Sequence, residues 1–96
     1  MSEPAVAIAD APERFRYEAR VGAALAGFAA YRLRAGRMTF THTEVEPAYE
    51  GQGIASALAR TALDDARARG LSIVLVCPFM TAYVRRHPEY ADLIAP

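Results

Sequence analysis

The feature that most constrains this chain is a change of hydrophobic period across Pro47–Gly53. Before it, apolar and polar residues alternate, the period of a strand with one wet face. After it, apolar residues recur every three to four positions, the period of an amphipathic helix. A chain that runs through alternating strands, then a helix, then a further apolar run belongs to the mixed α/β (α+β) class.

Arg14-Phe15-Arg16-Tyr17-Glu18-Ala19-Arg20-Val21 alternates without a break and predicts a strand over 14–21. Val6–Ala9 predicts a short edge strand before it, separated by the turn-prone Asp10-Ala11-Pro12. Leu25–Leu33 is apolar on both faces, as in an interior strand, and Ala35-Gly36 is a hairpin turn. From Arg37 the alternation resumes, with Met38, Phe40, His42 and Glu44 expected on one face and Thr39, Thr41, Thr43 and Val45 on the other. Ile54, Leu58, Ala62 and Ala66 then fall on one stripe and predict a helix over 53–69. An i,i+4 pair, Asp65 to Arg69, supports it, and Gly70 is the residue wanted at its C-terminal end. Leu71–Val76 reads as a buried strand, joined by that helix in a right-handed crossover to a parallel neighbour. Pro78 opens a second helix to about Arg86, ahead of His87-Pro88. The expected order is β-β-β-β-α-β-α, with antiparallel N-terminal strands, in a single domain over 1–96.

A chain of 96 residues buries enough surface to fold without disulfides or metals, and no metal site is expected. Eleven acidic residues cancel eleven basic ones, all arginine, which removes the long-range pull that nucleic-acid binders use. No nucleic-acid partner is expected. Met1–Ala9 has no basic region ahead of an apolar core, and the longest apolar stretches, Ala23–Tyr31 and Ile73–Val76, fall well short of the roughly 18 residues of a membrane span. No membrane association is expected, and a cytoplasmic location is the expectation. The single cysteine, Cys77, has no intramolecular disulfide partner.

Glu50-Gly51-Gln52-Gly53-Ile54-Ala55 stands where loop turns into helix. Glycine there lets bare backbone approach a ligand while the first N–H groups of the helix are unpaired and the helix dipole is positive. Two glycines serve equally to make a tight turn, so this segment alone leaves a structural turn and a phosphate cradle both open. No Gly-Lys-Ser/Thr follows, which rules out a P-loop, and Ala55-Ser56 stands where a dinucleotide fingerprint requires a third glycine.

The segment resembles the acyl-coenzyme A signature of the GNAT superfamily of N-acetyltransferases, Gln/Arg-x-x-Gly-x-Gly/Ala. Gly53 and Ala55 match its last two fixed positions, and Glu50 puts a carboxylate at the first, which is usually polar and often cationic. The resemblance extends from Phe40-Thr41-His42-Thr43-Glu44-Val45 through Cys77-Pro78-Phe79 to His87-Pro88-Glu89-Tyr90, and is to the small single-domain members. It implies a GNAT-like mixed sheet in which a parallel pair of strands, ending at Val45 and Cys77, splays around the pantetheine arm of acetyl-coenzyme A. It implies a cofactor site at Val45, Gly51, Gln52, Gly53, Ile54, Ala55, Ser56 and Cys77, with Glu50 capping or pointing away. Among catalytic candidates, Cys77 is the proton donor to the departing thiolate or, second, a nucleophile, and His42 and Glu44 relay the proton of the amine. Val84 is expected where many members place a tyrosine acid, leaving Tyr83 to packing, His87 to the turn at Pro88, and Arg85 and Arg86 to solvent. The activity implied is acetyl transfer to an amine acceptor that could lie on another protein, by a monomer or weak homodimer. Two other readings are a non-catalytic acyl-coenzyme A-binding module and a binder of a different phosphorylated ligand.

Overall fold

The computed structural model describes residues 6–96; the reading of Met1–Ala9 lies in part outside them. Five strands, β1 (Val6–Ala11), β2 (Arg16–Val21), β3 (Ala24–Arg34), β4 (Arg37–Val45) and β5 (Ser72–Leu75), form one sheet in chain order. Helix α1 (Ile54–Ala68) links β4 to β5, and α2 (Pro78–Arg86) follows β5. The first three junctions are antiparallel, while β4 and β5 are parallel, as the helical crossover between them requires. The order matches the one read from hydrophobic period.

The first turn lies later than expected. β1 continues through Asp10 and Ala11, because the Asp10 carboxylate accepts a 2.6 Å hydrogen bond from the Tyr31 hydroxyl instead of closing a turn. Pro12 then starts a single 3-10 turn, which Phe15 ends in the left-handed region (φ 57°), so β2 begins at Arg16. At the other end of the chain, Ala95 donates to the Ile73 carbonyl at 2.8 Å and covers part of the outer edge of β5.

Helix α1 buries Ile54, Leu58, Ala59, Ala62, Leu63 and Ala66, the stripe that its sequence spells out. It packs on Tyr17, Ala19, Ala29, Tyr31, Met38 and Phe40 of the sheet, in a core to which α2 adds Met80, Tyr83 and Val84. Gly70 (φ 68°) ends α1: its own N–H returns to Arg67 and that of Leu71 to Ala66, so the last carbonyls are satisfied. The Asp65–Arg69 pair forms at 3.4 Å.

One local irregularity reassigns the faces of β4. Tyr31 pairs with Phe40 but Ala30 pairs with His42, so Thr41 has no partner and forms a bulge. An extra residue reverses the alternation beyond it. Phe40 therefore shares the helix-covered face with Thr43 and Val45, whereas His42 and Glu44 turn to the opposite, helix-free face, and the expected set Met38, Phe40, His42 and Glu44 is divided. The cross-strand rows agree: Glu18, Phe28 and Glu44 are successive partners on the free face, and Tyr17, Ala29 and Thr43 on the covered one.

The free face carries a buried carboxylate. Glu18 is 7% exposed and receives Arg16 at 2.8 Å, Arg20 at 3.1 Å and Arg14 at 3.2 Å. Burial pushes its carboxyl upward, but the hydrogen bonds from Arg16, Arg20 and Arg14 override this and hold it at about 2. A depressed carboxyl stabilises the fold fully above its unfolded value near 4.5 and loses that contribution as pH falls through about 2. Glu18→Gln should therefore cost about 1–2 kcal/mol at neutral pH and low salt, discounted for the exposure of the arginines. In urea titrations the gap between wild type and variant should close as pH falls from 4.5 toward 2.

Gly27 lies opposite Val45, and a Cβ there would stand 2.7 Å from the Glu44 carbonyl oxygen and 3.3 Å from Val45. Backbone cannot yield at that distance, so Gly27→Ala should destabilise by about 1–3 kcal/mol, read from the denaturation midpoint.

Candidate functional site

After β4, Pro47 sets a single 3-10 turn through Tyr49, and the chain reaches α1 through Gly51 (φ 81°) and Gly53 (φ 76°). Both glycines occupy left-handed backbone, and the space where a Cβ would stand is open at each. No side chain caps α1 and no acidic residue lies in its first turn. Its first internal hydrogen bond is Ala57 N–H to the Gly53 carbonyl, 3.0 Å, leaving the N–H groups of Ile54, Ala55 and Ser56 without helical acceptors. They face outward at the positive end of the helix dipole, a fit for an anionic group.

A cavity of about 200 Å³ opens in front of them, walled by Val45, Tyr49, Glu50, Gly51, Gly53, Ile54, Ala55 and Ser56. Six of the expected cofactor contacts thus meet in one place. Gln52 is exposed and outside the wall, and Cys77 is not part of it. Glu50 is exposed, belongs to the cavity wall, and does not cap α1 with its side chain.

The parallel pair splits beside this cavity. The β4–β5 ladder ends at Phe40 and Leu75, and the Phe40 carbonyl accepts both Val76 N–H at 3.1 Å and Cys77 N–H at 2.9 Å. Pro78 then turns the chain into α2, while β4 runs on through Thr41–Val45 with no strand partner on that side among the described residues. Glu46 donates to Ala26 on β3 at 2.8 Å, so by alternation the backbone groups of Val45 and Thr43 point into the vacated side. The result is a bare strand edge next to a bare helix N-terminus. Cys77, 3% exposed, spans the base of the split, its thiol 3.4 Å from the Thr43 hydroxyl.

A second cavity, about 290 Å³, adjoins the first through Gly53 and Ser56 and is walled also by Ala57, Arg60, Tyr83 and His87. Tyr83 stacks on His87, ring centroids 4.2 Å apart, and burial raises its phenol above the ordinary value against the pull of Arg60. Its hydroxyl has no hydrogen-bond partner among the described residues, yet is not sealed from solvent. Tyr83, not Val84, faces the cavity; Val84 is buried in the core. Arg60 went unread in the sequence, although it falls four residues after Ser56 and seven after Gly53, on the face of α1 that the glycine turn opens. Arg85 and Arg86 are exposed and outside both cavities.

His42 and Glu44 pair with each other at 3.2 Å on the helix-free face, with side chains 59% and 55% exposed. His42 also packs against Phe28 (5.9 Å), over which Arg16 lies (4.6 Å). Among the described residues no cluster of three or more potential metal ligands occurs.

Comparison with known proteins gives the same picture. The family model of GCN5-related N-acetyl-transferase matches residues 16–93. Protein NATD1 of Mus musculus and of Homo sapiens are each 40% identical over 57 residues, 57% of this chain and 52% and 50% of theirs. The chain spans about half the length of these curated relatives. Among solved structures, the ribosomal-protein-S18-alanine N-acetyltransferase of Escherichia coli is similar with a TM-score of 0.60 at 26% identity, over 66% of this chain and 42% of that one. The ribosomal-protein-alanine N-acetyltransferase of Brucella melitensis biovar Abortus 2308 gives 0.59 at 27% identity, over 84% and 61%. A GCN5-like putative N-acetyltransferase from Staphylococcus aureus shares the fold over 99% of this chain and 91% of its own, with a TM-score of 0.69 at 20% identity. With the family model covering most of its length, the chain belongs to the GCN5-related N-acetyltransferase family.

Proposed function

We propose that this protein transfers the acetyl group of acetyl-coenzyme A to an amine on another protein. The observation that carries the reading is the bare edge of β4 beside the bare N-terminus of α1. The N–H groups of Ile54, Ala55 and Ser56 suit a pyrophosphate, Arg60 suits a further phosphate, and the backbone of Thr43 and Val45 suits the amides of a pantetheine arm. When bound, acetyl-coenzyme A supplies an acetyl thioester. A protein acceptor is supported by the open surroundings of the split and by the two solved relatives named for acting on ribosomal-protein alanine.

In the reaction the amine nitrogen forms a bond to the acyl carbon, the carbon–sulfur bond breaks, the nitrogen loses a proton and the sulfur gains one. His42 and Glu44 are the proposed acceptors of the first proton, since the bulge at Thr41 turns them to the face from which an amine approaches freely. Cys77, at the base of the split, is the proposed donor of the second. Tyr83, with an unpartnered hydroxyl in the adjoining cavity, is its competitor for that role. Glu50 favours a different reading, a non-catalytic coenzyme A-binding module, because a negatively charged residue in the cavity wall opposes a pyrophosphate bound there.

Thermal unfolding with coenzyme A, dephospho-coenzyme A and ATP tests binding: a selective ligand at 100 times its Kd adds about 2.7 kcal/mol. No stabilisation by either coenzyme A form sinks the proposal. Thiol release from acetyl-coenzyme A in the presence of peptide amines, in excess of that without them, then separates enzyme from module, and with no lysine in the chain, lysine self-acetylation adds nothing to the signal. Cys77→Ala should slow release at least tenfold, on the order of a lost general acid, without weakening binding; if Tyr83→Phe does this instead, the donor is Tyr83. Separately, Glu50→Gln should tighten coenzyme A binding about threefold at low salt, measured by calorimetry, with the gain shrinking as salt is raised.

A further inference from the structure

The helix-free face concentrates positive charge in a chain whose total is zero. Arg14, Arg16 and Arg20 converge on Glu18, and three guanidinium charges against one carboxylate leave two positive charges. Arg32 lies on the same face, over the ring of Phe15 at 4.9 Å. The arrangement is held in advance of any ligand: Glu18 is buried, and Arg16 grips it through both Nε and a terminal nitrogen at 2.8 Å. Arg14 and Arg20 spend one nitrogen each on Glu18, and a second of Arg20 reaches the Ala23 carbonyl at 3.4 Å; with 55% and 40% exposure, both keep further N–H donors toward solvent.

The register ties this cluster to the proposed proton acceptors. Glu18, Phe28 and Glu44 are successive cross-strand partners, so the arginine cluster and the His42–Glu44 pair stand two strand spacings apart, roughly 10 Å. Between them lies the half-buried ring of Phe28, under the Arg16 guanidinium at 4.6 Å and beside His42 at 5.9 Å, which bridges the two groups across the face. An extended peptide advances about 3.3 Å per residue, so three residues span the same distance.

We infer that the acceptor is a peptide segment carrying an acidic side chain three residues from the acetylated amine, bound in extended form across Phe28 with that acidic group on Arg14 and Arg20. The inference rests on the proposed function for the role of His42 and Glu44. Charge complementarity selects the occupant: a second copy of this face would meet like charge, and a basic segment would be repelled. The open sheet face suits a protein segment over a small metabolite, which needs enclosing walls.

The test uses the full chain and C-terminally labelled peptides with a free N-terminal alanine and aspartate or asparagine as the fourth residue. Thiol release should be about tenfold higher in kcat/KM for the aspartate peptide, and fluorescence anisotropy with coenzyme A present should show the same preference in Kd, weakening as salt is raised. Moving the aspartate to the second or seventh position should remove the preference. The Arg14→Gln/Arg20→Gln variant, which keeps Arg16 on Glu18, should lose the preference while still being stabilised by coenzyme A. Turnover with equal rates for aspartate and asparagine peptides overturns the inference and leaves the proposed function standing. Preferential binding without turnover of any peptide overturns the proposed function, and with it the acceptor role of the bound peptide. Single-stranded RNA that binds more tightly than the aspartate peptide, and displaces it, also overturns it, by making the patch a general polyanion surface.

Discussion

The site depends on a single carbonyl. Phe40 accepts from Val76 and Cys77 together, and with both donors spent on one oxygen the parallel ladder stops. Everything downstream on β4 is then exposed on one edge. Had β5 continued in register, the backbone of Thr43 and Val45 would be paired and the groove beside α1 closed. Pro78 enforces the stop from the other side, because a residue with fixed φ and no N–H starts a helix more readily than it extends a parallel strand. Sheet termination and groove formation are thus the same event, set within a few residues of sequence.

The bulge at Thr41 belongs to the same place and has a separate consequence. It keeps Thr43 and Val45 on the side of the helices, where Thr43 meets Cys77, and sends His42 and Glu44 through to the open side. The two halves of the proposed transfer, holding a donor and receiving an amine, then have one strand in common but opposite faces of it. The close approach of Gly27 to Glu44 and Val45 holds this segment of β4 tightly to β3 while its other edge is free.

What could be read in advance was what is local. The switch of period at Pro47, the apolar stripe of α1, the Gly70 cap and Pro78 at a helix start each depend on neighbours within a few residues, and the element order followed from them. The faces of β4 could not be read this way. The alternation of Met38 to Glu44 is unbroken in sequence, and the bulge exists only through pairing with Ala30 and Tyr31, a non-local fact that shifts every later side chain by one face. Tyr83 shows the same limit: it packs in the core beside Val84 and also walls the second cavity, a double placement set by what α1 brings opposite it. Arg60 was recoverable, since its spacing from Gly53 and Ser56 is a helical one.

A zero net charge does not describe the local surface, for a physical reason. Three aspartates serve as hydrogen-bond acceptors for tyrosines, Asp10 for Tyr31, Asp64 for Tyr90 and Asp65 for Tyr17, which ties the acids to the helix-covered side. Asp65 joins helix to sheet through Tyr17, Asp10 joins β1 to β3 through Tyr31, and Asp64 joins α1 to the C-terminal turn through Tyr90, so all three carboxylates stay on that side. The arginines opposite have only Glu18 to answer them on β2, and their potential is screened over about 10 Å, less than the distance through sheet and helix together. A neutral total therefore coexists with a cationic surface, and what an approaching partner experiences is the local sum at that surface.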